Sequence, residues 1–232
     1  MKTIEDLINF MEVWSLFIPL IALYFNKKQP AYLQPVIIYL FLALYINFLG
    51  DIMYFQDELH FPNWFRTNTY LYHIHSIVRL LLFSILFIRL KQPFLVNLKK
   101  TIPIVFIAFV IINFNFSEHF FNYKYNDTYH YVDSKLSGHL LAVEAVLLLL
   151  YCLIYYLFRL QEDRTDVRKP AHFWVVTGLC IFVIPCIPVY LFYESLIKLD
   201  IRFTRYIWKV PNICYLIFCI MIAKAFLVSK YE

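Results

Sequence analysis

Asn68, Tyr72, His75, Ser76 and Arg79 sit at spacings of 0, 4, 7, 8 and 11 in the stretch NTYLYHIHSIVRLLLFSILFIRL. At about 100° per residue, all five fall on one stripe of a helix. The stretch is long and apolar enough to cross a bilayer, so the stripe carries a phenol, an imidazole and a guanidinium into the membrane. Arg79 comes about a third of the way in, at a cost of several kcal/mol unless an acid or a polar cavity faces it. After Arg79 the sequence is almost wholly apolar until Arg89.

Similar stripes occur in the other apolar segments. Glu5, Asn9 and Glu12 share a helical face, as do Asn47, Asp51 and Tyr54. Asn113 and Asn115 stand close together, Ser137, Glu144 and Tyr151 line up, and His139 lies on another side of that segment. Tyr190 and Glu194 form a pair, and Arg202, Arg205, Lys209 and Asn212 make a last stripe around Pro211. Together they predict a polar pocket lined by Glu12, Asn47, Asp51, Tyr72, His75, Arg79, Glu144, Tyr190, Glu194, Lys209 and Asn212. The cations inside the segments, Arg79 and Lys209, need counter-ions from Glu12, Glu144, Asp51 or Glu194. A first and a seventh helix are neighbours in most closed seven-helix bundles, so Glu12 with Lys209 is the first pair expected. Arg79 is expected to floor the pocket, with His73 turned away. Two readings of this set stand level: ion pairs that only fix packing, and a ligand pocket, the default for ionisable groups inside a membrane.

A metal site is the weaker reading. His73 and His75 are about 160° to 200° apart on a helix and cannot share one ion. His75, His139 and a carboxylate make a conceivable ligand set, but no HExxH or HxxxH spacing supports it. His60, His119 and His130 fall in the intervening loops. We expect no cofactor and no metal. The five cysteines lie in apolar runs without a CxxC pair, which argues against a disulfide framework or a thiolate site.

The elements that must hold these residues follow from composition. Of 232 residues, 62% are hydrophobic and 20% aromatic, with only three glycines. A soluble domain of this size has no interior large enough for that apolar surface, so the expected class is an all-α polytopic membrane protein. Seven spans are predicted at about 4–25, 32–54, 68–90, 101–117, 136–158, 172–196 and 204–228, the fourth being the weakest, in one seven-helix domain over 1–232. No cleavable signal peptide is evident. Lysines and arginines divide twelve to seven between the two sets of loops and ends. The positive-inside rule then puts the N-terminus outside and the C-terminus in the cytoplasm, with the polar residues in the outer halves of the spans. The bases are explained by topology rather than by a nucleic-acid partner. Pro185 and Pro188 are expected to kink or break the sixth span, and Pro211 the seventh. Trp14, Tyr54, Trp64, Trp174 and Trp208 read as interface anchors.

Known seven-helix families fit poorly. There is no DRY-type or NPxxY motif, no mid-membrane lysine for a retinal Schiff base, and no HxxxH of the zinc-dependent seven-helix hydrolases. The stretches TYLYHIHSIVRLLLF (69–83), YYLFRL (155–160), RKPAHFWVVTGLCIF (168–182) and NICYLIFCIMIAKAF near the C-terminus resemble an uncharacterised group of seven-helix proteins of Bacteroidetes-type bacteria. That group is similar to membrane sensor regions found beside, or fused to, histidine kinases. The resemblance implies signalling and carries over no catalytic residues.

The expectation is a receptor- or sensor-like protein of a bacterial inner membrane, with an outward-opening pocket for a small-molecule or lipid ligand. Its loops are too short to carry a kinase, so a separate cytoplasmic signalling protein would receive the signal, with 159–169 as the expected docking segment. The alternatives are an intramembrane enzyme using His75, Glu144 and a metal on a lipid-type substrate, or a small transporter.

Overall fold

The computed structural model describes residues 10–54, 68–90, 92–117, 136–161, 170–199 and 201–229, and all regular structure among them is helical. Two short helices come first, α1 (Met11–Trp14) and α2 (Phe17–Phe25), joined through Ser15 and Leu16. A 3₁₀ turn leads into α3 (Gln34–Tyr54), followed by α4 (Thr69–Arg89), α5 (Val96–Ile112) and α6 (Gly138–Gln161). The last four are α7 (Ala171–Leu191), α8 (Tyr193–Leu199), α9 (Ile201–Ile207) and α10 (Lys209–Val228). Six helices are long and apolar enough to cross a membrane: α3, α4, α5, α6, α7 and α10. The Met11–Phe25 segment is apolar but shorter.

Cross-helix contacts set the directions. His73 meets Ser137, Arg79 meets Glu144 and Phe87 stacks on Tyr151. The numbering offset stays at 64 or 65 down the pair, so α4 and α6 run parallel. Between α7 and α10 the numbers move oppositely: Trp174 with Lys224, Phe182 with Tyr215, Tyr190 with Trp208. Those helices are antiparallel. The Met11–Phe25 segment runs parallel to α10, with Ser15 against Cys219 and Asn26 against Phe226 and Ser229, at offsets of 200 to 204.

The packing closes a ring. Going round, α4 contacts α6, α6 contacts α7, α7 contacts α10, α10 contacts α1 and α2, α1 contacts α3, and α3 returns to α4. Helix α5 packs chiefly on α4 and α6 among the long helices and lies outside the ring, in the groove between them. The two asparagines at its end, which were not among the expected pocket residues, do not reach the interior pocket. Asn115 is exposed and bonds its own Ile111 carbonyl at 2.7 Å. Asn113 is buried and donates to Ser137 Oγ at 3.0 Å.

Several boundaries also move. Helix α5 starts at Val96 rather than near 101, and ends in a wider π turn over Asn113–Ser117. Lys99, expected in a loop, is buried in the first turn of α5 and donates to the Gln92 carbonyl at 2.8 Å. Helix α7 runs unbroken through Pro185 and Pro188, and the interruption falls later, at Phe192. Each proline removes one backbone donor, facing the carbonyls of Ile181 and Ile184, and neighbouring helices in a membrane bundle hold such a segment helical. A second interruption falls at Trp208, between α9 and α10, so the seventh span does not run evenly from 204.

Ser137 shows why α6 begins where it does. Its hydroxyl accepts from Leu140 N–H at 3.3 Å, in the manner of a helix N-cap. Its own N–H donates to His73 Nε2 at 3.0 Å. The next residue, Gly138, packs so close to α7 that an added Cβ would stand 2.5 Å from the Tyr190 carbonyl oxygen. At most helix positions replacing glycine by alanine is worth up to about 1 kcal/mol of stability. Here the neighbour is backbone and cannot swing aside, so the sign reverses. Gly138→Ala is expected to lower the thermal unfolding midpoint of the detergent-purified protein, and an unchanged or raised midpoint would refute the close approach.

Candidate functional site

The ring surrounds a polar cavity on its axis. Arg79 is the eleventh of the 21 residues of α4, about 15 Å along the helix from Thr69 at 1.5 Å per residue. It is therefore at mid-helix, deeper than a third of the way. Its Nε donates to Glu144 Oε1 at 2.5 Å and its Nη2 to Glu144 Oε2 at 2.7 Å. This is a bidentate fork, the strongest carboxylate geometry an arginine offers. Arg79 is 6% exposed and Glu144 fully buried, and the guanidinium carbon lies 5.0 Å from the Phe182 ring centroid. That is within cation–π range.

The cavity lies on the side of Arg79 that leads to Asp51 and Asn68. Its walls are Glu12, Asn47, Tyr72, His75, Arg79, Leu141, Phe182, Tyr190, Trp208, Pro211 and Tyr215, and it holds about 30 Å³ for the centres of water-sized groups. A second lobe of about 20 Å³ shares Glu12, Asn47, Tyr72 and His75 and reaches Ile46, Gly50, Asp51, Asn68 and Leu71. One water needs roughly 10–15 Å³ on this measure, so the two lobes together take a few waters or a water-sized head group. Glu12 enters from α1, where its backbone carbonyl accepts from Asn47 Nδ2 at 3.1 Å. Its carboxyl lies close to the Tyr72 hydroxyl, and Asp51 and Arg79 are the charges it faces.

Below Arg79 the axis is closed by rings. Phe182 stacks on Phe218 with centroids 5.8 Å apart, Phe218 lies 5.7 Å from Phe83, and Tyr39 lies 5.2 Å from Phe83. Three polar atoms edge this plug: Tyr39 Oη is 3.2 Å from Tyr215 Oη and 3.3 Å from His75 Nε2. The contacts join α3, α4, α7 and α10 across the centre.

The structure divides the residues singled out by spacing. Glu12, Asn47, Asp51, Tyr72, His75, Arg79 and Tyr190 line the lobes, with Asn68 at the far end. Glu144 sits behind Arg79 as its counter-ion. Lys209 does not pair with Glu12; its ammonium lies 4.7 Å from the Tyr206 ring centroid. The carboxylate that the register of the helices presents to a cation is Glu144, to Arg79, and Lys209 begins α10 beyond the level of the pair. Asn212 is buried without lining either lobe. Ser76 is fully buried and its hydroxyl has no hydrogen-bond partner. His73 faces away from the cavity but is used: it bonds Ser137 and packs on Phe114, with centroids 5.3 Å apart. Accepting at Nε2 leaves the ring proton on Nδ1.

Glu5, Asn9, His60, His119 and His130, and the side chains of Tyr54, Glu194, Arg202 and Arg205, lie outside the described residues. His139 is exposed and apart from His75, and no three His, Cys, Asp or Glu residues converge among the described residues. Spacing missed Phe182, Tyr215 and Tyr39, which lie in apolar runs and gave no polar signal. Trp208, expected as an interface anchor, is a cavity wall.

Removing one member of a buried pair strands the other charge, at about 3–5 kcal/mol, whereas replacing both by apolar residues is often neutral. Arg79→Met and Glu144→Leu are each expected to lower the thermal midpoint strongly, with much of the loss recovered in the double variant. A double variant no better than the worse single one would show that Arg79 and Glu144 are not coupled.

No model of a known protein family, no curated protein and no solved structure matches this chain, so its function has to be argued from the cavity itself.

Proposed function

We propose that this is a seven-span, receptor- or sensor-like membrane protein that binds a small ligand in an outward-opening cavity and signals through a separate partner. The observation that carries this reading is the shape of the polar path. It enters from one end of the bundle, draws walls from α1, α3, α4, α6, α7 and α10, and stops at Arg79–Glu144 and the aromatic plug. A transporter needs a second polar vestibule beyond such a floor, and an enzyme needs a reacting pair. A dead-ended pocket is suited to recognition.

Two features support the span count and direction. A first and a last helix run parallel when the number of crossings is odd, and the Met11–Phe25 segment runs parallel to α10. The end away from the cavity carries Lys27, Lys28, Arg89, Lys99, Lys100 and Arg159, which supports reading it as the cytoplasmic end. There the Lys224 ammonium lies 3.4 Å from the Trp174 ring centroid, and Asn26 donates to the Phe226 carbonyl at 2.6 Å, tying the first loop to the end of α10.

Signal transfer would start at Trp208, which is both a cavity wall and the break between α9 and α10. An occupant that pushes on this wall would move α9 with it. The resemblance to sensor regions beside histidine kinases suggests the receiving partner, and its docking segment, 159–169, lies mostly outside the described residues.

Two measurements test the reading. A fluorescent protein fused after Glu232 should fold and fluoresce, while an alkaline phosphatase fusion there should be inactive; the reverse would invert the topology. Asn47→Cys should react with a membrane-impermeant maleimide added outside intact cells, whereas Leu86→Cys, in the cytoplasmic half of α4, should not. Equal protection of both would remove the outward opening.

A further inference from the structure

We infer that the cavity takes a small organic cation, an ammonium head group, held between the Glu12 and Asp51 carboxylates and the aromatic walls around Trp208. This rests on the pocket reading above and names its ligand class.

The first argument is charge. Arg79 has its forked donors committed to Glu144, so the pair is neutral and those donors are unavailable to an anion. Glu12 and Asp51 remain, one on α1 and one on α3, on the walls of the same lobe. Among the described residues no cation stands within ion-pair distance of either acid, and Arg79, the cation that Glu12 faces, is already engaged. The lobe is thus rich in acceptors, with two carboxyl groups and no cation at ion-pair distance among the described residues. Acids so placed are neutralised by binding a cation or by holding a proton.

The second argument is the wall chemistry, independent of the acids. Trp208 forms the centre of an aromatic cluster, with Tyr193, Tyr190 and Tyr72 ring centroids at 5.1, 5.8 and 6.4 Å. Tyr72, Tyr190 and Trp208 all line the cavity together with Glu12. Several aromatic rings around one acid are how proteins hold alkylammonium groups, because the ring faces attract a weakly hydrated cation. The volume agrees, since about 30 Å³ beside about 20 Å³ suits an ammonium or methylammonium head with a tail pointing to the mouth. A bare transition metal is a poorer occupant, as no three His, Cys, Asp or Glu residues converge there among the described residues.

The test is thermal unfolding of the full chain in detergent at constant ionic strength. The probes are methylammonium and choline chlorides, sodium chloride is the control, and glycerol and sodium acetate represent neutral and anionic solutes. A saturable rise in midpoint with the two amines is expected, absent with sodium. Glu12→Gln should lose the response. Asp51→Asn, nearer the mouth, should shift its half-saturation to higher amine concentration. Trp208→Leu should weaken choline more than methylammonium. Each variant is first shown to be folded by circular dichroism and gel filtration, and Asp51→Asn keeps the test alive if Glu12→Gln does not fold. A response that survives both acid substitutions overturns the proposal. So does a midpoint that rises only on acidification and never with amines, which would mean a proton occupies the acids. A shift with glycerol or acetate but not with amines would leave the pocket and remove its cation preference. Silence from every probe would remove both.

Discussion

The structure depends on one requirement: a guanidinium at the middle of an apolar helix must be neutralised inside the bundle. Arg79 meets it with the one acid Glu144, through two parallel hydrogen bonds. A fork of this kind tolerates little sliding, so it fixes how far α4 and α6 are offset along their common direction. The constant offset from His73–Ser137 to Phe87–Tyr151 shows that register carried over the length of both helices. Buried ion pairs are a poor source of net stability. Register is the better account of this one, because a shift by one turn would leave both charges unpaired and would also separate His73 from the start of α6.

Fixing α4 against α6 leaves α5 no place in the ring, so it fills the groove outside. The remaining helices close around the axis and meet through rings rather than through small residues. Only three glycines occur in the chain, and Gly138 and Gly178 are spent where α7 approaches α6 and α10 approaches α7. Large side chains therefore interdigitate at the centre, and below Arg79 they do so completely, as Phe83, Phe182, Phe218 and Tyr39 fill the axis. Above it polar and aromatic wall residues fill it incompletely. The boundary between wet and dry halves coincides with the ion pair.

Facing was legible in the sequence, and partnership was not. The stripe through Tyr72, His75 and Arg79 follows from helical periodicity alone, and those three side chains do share the interior. Choosing Glu144 over Glu12 as a counter-ion needs the relative heights of helices, which periodicity in one helix does not contain. The same gap explains Lys209, at the first turn of α10 and over Tyr206 instead of Glu12. It also explains why the place of α5 was not legible, since hydropathy gives a span its length but not its position inside or outside a ring. Pro185 and Pro188 were expected to kink or break the helix, and they do not break it. A proline's local cost is fixed, but packing on both sides decides whether the helix gives way, and here α7, packed on α6 and α10, stays helical through to Leu191. Aromatic wall residues such as Tyr39 and Tyr215 were silent because the same residue types serve packing throughout the chain.

The excess of acids over cations in the cavity follows from this arrangement. Had Arg79 been shared with Glu12, one acid fewer would face the lobe and the floor would be a loose network open to either sign of ligand. Because the fork to Glu144 satisfies Arg79 from behind, nothing of its charge is left to offset Glu12 and Asp51 beyond a distant influence. The ion pair thus does two things with one geometry: it closes the polar path at the middle of α4 and leaves the two acids of the lobe without an ion-pair partner among the described residues. On the proposed reading, a chamber of a few water volumes with aromatic walls and two acids selects by exclusion: a ligand small and positive at its leading end fits it, and large solutes meet Trp208.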